Sequence, residues 1–277
     1  VAFCMIFRSY FQNGDQFWIL PIFIACPIWY FAYSFTNLTP GVGIGLFFAA
    51  CGAVLTRISW KFIPLAAFFL ACAIGTYQAF LLGCGVICLF FMLEAALFRK
   101  DFLFWVWVRE GFCYFVFISM GYFLHRCIVR YFIIKYNVVV SPLLDSYTNL
   151  SHVKSYAAFQ TWLPKFFQTV YAYLEGGFQM YGSDLCIQPI LIGFSLLIII
   201  GYVFCQKKIS WWMKPVCLLL LTILLIAPFL IFAISSVILV IPPRTLLAVP
   251  LVFAMVIFLG LHVAKNWIKV VLVLLIL

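Results

Sequence analysis

The sequence predicts an all-α integral membrane protein, a polytopic helical bundle of about eight to nine spans. Of its 277 residues, 68% are hydrophobic and only 9% are charged, and the mean hydropathy is +1.21. A soluble domain is about half apolar and about a quarter charged. The apolar runs are continuous and lack the period-two alternation of membrane β-barrel strands. Helices are then the remaining way to satisfy backbone polar groups in lipid.

The candidate spans are apolar runs separated by polar or basic connections. A span needs about 20 residues, so the run of about 11 residues from Trp267 to the end is too short, as is the run Val1–Phe7. We therefore expect this chain to be a piece of a longer protein, cut in or beside a helix at both ends. The candidate spans are 16–33, 41–56, 62–76, 79–98, 111–130, 187–205, 215–240 and 245–264.

The run Phe62–Leu97 is divided into two of these spans. As one helix its roughly 36 residues would measure about 54 Å at 1.5 Å per residue. The hydrocarbon core of a bilayer is only about 30 Å thick. We therefore predict two short spans that meet near Gly75–Gln78.

Basic residues predict the orientation of the spans. If Arg57 and Lys61 lie in the cytoplasm, counting spans places the other basic clusters on the same side, as the positive-inside bias requires. The short connections then lie outside. The other clusters are Arg99/Lys100, Lys207/Lys208/Lys214 and Lys265/Lys269, and the connections are Thr36–Pro40, Tyr77–Gln78 and Pro242–Arg244.

The span 111–130 has charged residues at both ends. Arg109 and Glu110 could lie inside a span over 102–122, but we expect them at the cytoplasmic edge. His125 and Arg126 would then extend their polar groups outward from the span.

The predicted organisation has three parts: transmembrane helices in 1–130, an external loop region in 131–187, and transmembrane helices in 188–277. From Phe159 to Gly176–Gly177 the loop has apolar residues at helical spacing, with Pro164 as a kink. This amphipathic helix would either lie along the outer membrane surface or pack over the bundle. Its apolar face is Trp162, Leu163, Phe166, Phe167, Val170 and Leu174.

Composition argues against several kinds of partner. In a soluble protein the net charge of +10 would suggest binding to nucleic acid, but here the charged residues lie between the membrane spans. Most cysteines lie inside apolar runs, where a thiol behaves as a small hydrophobe, and the histidines are far apart in sequence. We expect no nucleic acid, no metal site and no cofactor. The glycines of Gly41–Gly45 are expected to allow close helix packing.

Two polar features at the external ends of spans are the candidate sites, because a polar group in or beside the membrane is costly unless it is used or paired. Tyr77 and Gln78 follow Gly75 at the proposed break, and Arg244 follows two prolines. The arginine fork suits phosphate recognition. The structural alternatives are a capping or inter-helix hydrogen bond for Gln78 and headgroup anchoring for Arg244.

The segment Ala73–Phe80 resembles the glycine–x–tyrosine–glutamine–alanine segment of the serotype-converting O-antigen glucosyltransferases, which are bacterial inner-membrane proteins related to the GT-C glycosyltransferases. The aromatic segment Trp29–Phe35 is similar to the family's external loop before that segment. Pro243-Arg244-Thr245 resembles its later proline–arginine element. The order and spacing of the three fit the family over about residues 27–264.

The resemblance implies a multi-pass glycosyltransferase of the bacterial inner membrane, acting on the periplasmic face. Its donor would be a polyprenyl-phosphate-linked glucose or related hexose, and its acceptor an O-antigen or other surface polysaccharide of the lipopolysaccharide type. Arg244 would contact the donor phosphate, and Tyr77 and Gln78 would shape the nearby sugar site.

The catalytic residues are left unassigned by the sequence. The family carries its acidic residues in a first external loop that would precede Val1, so this piece alone is expected to be inactive. Span counting places three acids outside, Asp145, Glu175 and Asp184. Each is a candidate general base, and a solvated loop carboxylate is the alternative for each.

Three other functions remain open on the sequence. A helix broken at Gly75–Gln78 would suit a transporter or a flippase for lipid-linked oligosaccharides. An O-antigen ligase or polymerase also has many spans, but it uses arginine-rich external loops, which 131–187 lacks. A purely structural membrane subunit is the third.

Overall fold

The computed structural model of the protein describes residues 39–99, 102–137, 156–175, 187–207, 209–234 and 248–264. Within these ranges the chain is helical and contains no strand, so the predicted all-α fold is confirmed. Two 3₁₀ segments, Trp60–Phe62 and Ala227–Ile234, join or extend the α-helices. The α-helices are α1 Thr39–Ile58, α2 Ile63–Thr76, α3 Phe80–Phe98, α4 Phe104–Tyr136, α5 Tyr156–Glu175, α6 Ile187–Cys205, α7 Met213–Ile226 and α8 Ala248–Val263.

Four helical segments in the described ranges are long and apolar enough to cross a membrane: Gly41–Ile58, Phe80–Phe98, Phe104–Tyr136 and Met213–Leu230. Shorter apolar helices cover Trp60–Thr76, Ile190–Cys205 and Ala248–Val263. Each of the seven predicted spans from residue 41 to residue 264 overlaps one of these segments. The predicted span 16–33 and the run from residue 267 lie outside the described residues.

Two helices differ from their predicted bounds. α4 has 33 residues and begins seven residues before the predicted span 111–130, so Arg109 and Glu110 lie within the helix. The α-helical part of α7 ends at Ile226, before Pro228. Proline lacks an N–H and its ring clashes with the carbonyl four residues earlier. The chain therefore continues as the 3₁₀ segment, and residues 235–240 of the predicted span lie outside the described ranges.

The helix α3 forms the centre of the bundle. It contacts α1, α2, α4, α7 and α8, and its side chains Phe80, Ile87 and Phe90 are almost completely buried. The ring of Phe90 meets that of Phe258 on α8 edge-on, with centroids 6.4 Å apart. A helix that is apolar on all sides and buried in this way fixes the positions of the helices around it.

Aromatic contacts show which helix ends lie together. At the end of α3, the ring of Phe98 contacts Tyr202 near the end of α6 and His262 near the end of α8. Phe104 at the start of α4 meets Trp212 just before α7. The ion pairs Arg57–Glu94 and Arg99–Glu110 place the end of α1 and the start of α4 beside the end of α3. The ends of α1, α3, α6 and α8 and the starts of α4 and α7 therefore share one end of the bundle. We call it the basic end because it carries Arg57, Lys61, Arg99, Arg109, Lys207 and Lys214.

The amphipathic helix α5 packs on the bundle. Trp162 and Phe166, both from the predicted apolar face, are buried, whereas Phe167 is exposed. The helix contacts the 3₁₀ segment Ala227–Ile234. Of the two alternatives offered by the sequence, the structure therefore shows the second, a helix packed over the bundle.

Candidate functional site

The predicted break between two spans is a three-residue turn, Tyr77–Ala79, between α2 and α3. Tyr77 has an extended backbone and ends α2, donating its N–H to the carbonyl of Ala73 at 3.1 Å. The carbonyls of Tyr77 and Gln78 accept from the N–H groups of Phe80 and Leu81, both at 3.1 Å. The chain therefore reverses direction here with its turn held by backbone hydrogen bonds.

The side chains of the turn differ in their surroundings. Tyr77 is half-buried and packs against the main core, whereas Gln78 is exposed. Among the described residues no group forms a hydrogen bond with the Gln78 amide, and α3 has no side-chain cap at its start. The capping role considered for Gln78 is therefore not formed within the described part of the chain. Its side chain is exposed with respect to the described residues.

The start of α1 packs directly on this turn through glycine. A Cβ atom at Gly45 would collide with the ring of Phe80 and the hydroxyl of Thr76, and one at Gly41 would lie 4.0 Å from Thr76 Cβ. Gly43, on another face of α1, has open space around it. The prediction that these glycines allow close packing is confirmed at Gly45, where no side chain would fit.

The turn lies at the opposite end of the bundle from the basic end. α3 runs from Phe80 in the turn to Phe98 at the basic end, which at about 1.5 Å per residue separates them by about 27 Å. This is close to the hydrocarbon thickness of a bilayer, about 30 Å. The turn and the basic end therefore lie near opposite membrane faces.

The other predicted site residues are not brought to this turn by the described structure. Arg244, Asp145 and Asp184 lie outside the described residues, as does the aromatic segment Trp29–Phe35. Glu175 is the last residue of α5. The contacts of these residues with the turn thus remain sequence-based expectations.

The sequence did not single out two ion pairs at the basic end. Arg57 on α1 contacts Glu94 on α3, with Nη2 2.6 Å from Oε2, and the Arg57 guanidinium lies 4.5 Å from the centre of the Phe91 ring. Arg99 contacts Glu110 on α4, with Nη1 2.9 Å from Oε1. Span counting had placed Arg57, Arg99 and Glu110 at one side, and Glu94 lies near the end of the predicted span 79–98 that leads to that side. This common location is the signal that could have paired them.

Together, the apolar bundle, its central buried helix and the polar turn at one end define a polytopic membrane protein with a candidate site at a membrane face. A family model described as Glucosyl transferase GtrII matches residues 1–262. The chain therefore belongs to this family of glucosyltransferases, and the family resemblance noted in the sequence is confirmed. No curated protein and no solved structure shows significant similarity to the chain.

Proposed function

We propose that the protein transfers glucose, or a related hexose, from a polyprenyl-phosphate-linked donor to an O-antigen or similar surface polysaccharide. The observation that carries this proposal is the family match over residues 1–262. The site is the membrane face that holds the Tyr77–Ala79 turn. In the proposed orientation this is the periplasmic face of a bacterial inner membrane, and the basic end is cytoplasmic, as the positive-inside bias requires.

The architecture suits a lipid-linked donor. A polyprenyl tail needs apolar surface within the bilayer, which the helices supply, and its phosphate must stay at the membrane face. The exposed amide of Gln78 and the half-buried ring of Tyr77 are at that face. In our proposal Gln78 donates and accepts hydrogen bonds with sugar hydroxyls, and Tyr77 packs against the sugar ring.

The transfer breaks the bond between the sugar C1 and the phosphate oxygen, and the polyprenyl phosphate leaves with the bonding electron pair. An acceptor hydroxyl oxygen forms the new bond to C1 and loses its proton to a base. In our proposal Arg244 stabilises the leaving phosphate through bidentate hydrogen bonds. The base is a carboxylate, and the external acids of this chain, Asp145, Glu175 and Asp184, are the residues to test first.

The test is transfer of radiolabel in membranes that contain the complete protein, with any sequence that precedes Val1, supplied with polyprenyl-phosphate [¹⁴C]glucose and O-antigen. We expect label in the polysaccharide, and a loss of at least about tenfold for Arg244→Ala with partial recovery for Arg244→Lys, since lysine keeps the charge but not the fork. Normal transfer by Arg244→Ala would remove the phosphate role from this residue. No label from folded wild-type protein would contradict the proposed function itself.

A further inference from the structure

The C-terminal turns of α4 carry three exposed cations, Arg126, Arg130 and Lys135, which we call the α4 cation cluster. The only acidic residue of α4, Glu110, lies near the other end of the helix. Arg126 and Arg130 are four residues apart and so lie on one face. Among the described residues no carboxylate forms an ion pair with any of the three. Lys135, nine residues after Arg126, lies on the opposite face of the helix. The cluster is therefore a band of positive charge around the last turns of α4, which the proposed transfer reaction does not use.

Aromatic residues place this cluster at the membrane surface. Lys135 Nζ lies 5.4 Å and 5.5 Å from the ring centres of Tyr131 and Tyr136, and both rings are more than half exposed. At the other end of the helix, Trp105 is 79% exposed. Exposed Trp and Tyr collect at the two interfaces of a bilayer.

The separation of these aromatic residues fits a bilayer. Trp105 and Tyr131 are separated by about 39 Å at 1.5 Å per residue, close to the bilayer thickness of about 40–45 Å including headgroups. The excess length of α4 over a minimal span is thus explained. Its last turns, with the α4 cation cluster, lie at headgroup depth.

Packing between α2 and α4 shows that the cluster is level with the candidate site. A Cβ at Gly52 would meet both Ala66 O on α2, at 3.0 Å, and the Phe117 ring on α4, at 2.9 Å. A Cβ at Gly121 would meet Leu70 at 2.7 Å. Ala66 is thus level with Phe117 and Leu70 with Gly121, so α2 and α4 run in the same direction.

The depth of the turn follows from the level of Leu70 with Gly121. Because α2 and α4 run in the same direction with the same rise per residue, Thr76, six residues beyond Leu70, is level with residue 127, six residues beyond Gly121. Gln78 is therefore at the depth between Arg126 and Arg130, within about one helical turn. The α4 cation cluster and the candidate sugar site share one membrane face.

We propose that the α4 cation cluster binds the phosphate groups of anionic phospholipids in the leaflet where the Tyr77–Ala79 turn lies. Phosphate is the anion present at headgroup depth, and arginine binds it through two parallel hydrogen bonds. Each cation near an anionic membrane surface adds to the attraction. This binding does not depend on the proposed transfer function, and it fixes the depth of the turn in the membrane.

The test uses the full chain in phosphatidylcholine nanodiscs that contain a phosphatidylglycerol carrying a photoactivatable diazirine in its headgroup. Crosslinked peptides are mapped by mass spectrometry. We expect crosslinks on residues 126–137, and a loss of at least about fivefold in the variant Arg126→Gln/Arg130→Gln/Lys135→Gln. The matched control, Lys61→Gln/Arg109→Gln/Lys207→Gln, removes the same charge from the basic end and should leave these crosslinks unchanged.

Three results would overturn the proposal: equal crosslinking by a phosphatidylcholine probe, unchanged crosslinking in the cluster variant, or an equal loss in the control variant. The crosslinking is repeated in inorganic phosphate and in chloride at equal ionic strength. A greater loss of crosslinks in phosphate than in chloride would assign the cluster to free phosphate and not to lipid. The exposed single variant Arg130→Gln, with a smaller expected loss, keeps the test available if the triple variant does not fold.

Discussion

At the scale of single residues, the ion pair between Arg57 and Glu94 contains the one charged side chain that is buried among the described residues. Glu94 is 9% exposed, and a buried carboxylate is tolerated only when it is paired. Arg57 supplies the opposite charge at 2.6 Å while its guanidinium lies over Phe91. The ion pair therefore joins the end of α1 to α3. The attraction between the two charges offsets the cost of removing them from water.

Glu94→Gln should lower the free energy of unfolding by about 2 kcal/mol, because Arg57 loses its charged partner in a partly buried place. Glu110→Gln breaks the more exposed pair with Arg99 and should cost about 1 kcal/mol or less. Thermal unfolding of the two purified variants in the same detergent measures the difference. Equal shifts in Tm would show that burial does not distinguish the two pairs.

Gln78 is the residue whose replacement best separates function from stability. Its side chain is exposed and forms no hydrogen bond with a described residue, and the turn around it is held by backbone groups. Gln78→Ala should therefore leave Tm unchanged while sugar transfer falls about tenfold or more, as expected for the loss of hydrogen bonds to a substrate. A lower Tm with unchanged transfer per folded molecule would make Gln78 a structural residue instead.

At the scale of helices, the contact between α1 and the α2–α3 turn depends on one glycine. Gly45→Ala places a methyl group against the Phe80 ring and Thr76, so it should destabilise the protein by about 1–3 kcal/mol. Gly43→Ala, two residues away with open space around it, should change stability by less than about 1 kcal/mol, in the stabilising direction. Thermal unfolding of both variants measures this difference in stability. Equal changes in Tm for the two variants would show that the glycines act only through the flexibility of the helix.

The helices were largely predictable because apolar runs between polar connections are a strong signal in membrane proteins. That the run 62–97 is broken followed from its length, since one helix would be far longer than a bilayer is thick, and the break predicted near Gly75–Gln78 is the turn Tyr77–Ala79. The full extent of α4 was not predicted, because Arg109 and Glu110 were expected at the edge of a span that began at residue 111. Both lie inside α4, whose 33 residues exceed the roughly 20 that a span needs, and charged side chains are tolerated where a helix extends beyond the hydrocarbon core.

The candidate site was predictable only in part. The sequence located the turn and its exposed amide, because a glycine and polar residues interrupt an apolar run. It could not show that Gly45 covers the turn or that Arg57 meets Glu94. Those contacts depend on how α1 and α3 pack, and a span pattern contains no information on rotation about the helix axes.

At the scale of the whole molecule, the account requires the turn and the basic end to lie on opposite sides of the membrane. In a background without reactive cysteines, Gln78→Cys should react with a membrane-impermeant maleimide from the periplasmic side of intact cells. Lys61→Cys should react only after the membrane is permeabilised, since positive charge favours the cytoplasm. The reverse pattern would invert the proposed orientation and move the site to the cytoplasmic face.

Sugar transfer by the purified protein tests the central claim most directly. Proteoliposomes containing the complete protein, with any sequence that precedes Val1, labelled polyprenyl-phosphate glucose and O-antigen would be followed for label in the polysaccharide, beside folded Gln78→Ala protein. The account predicts steady transfer by the wild-type protein and at least about a tenfold slower rate for the variant. Folded wild-type protein that binds the donor without moving label, or that moves the intact lipid across the bilayer instead, would contradict it.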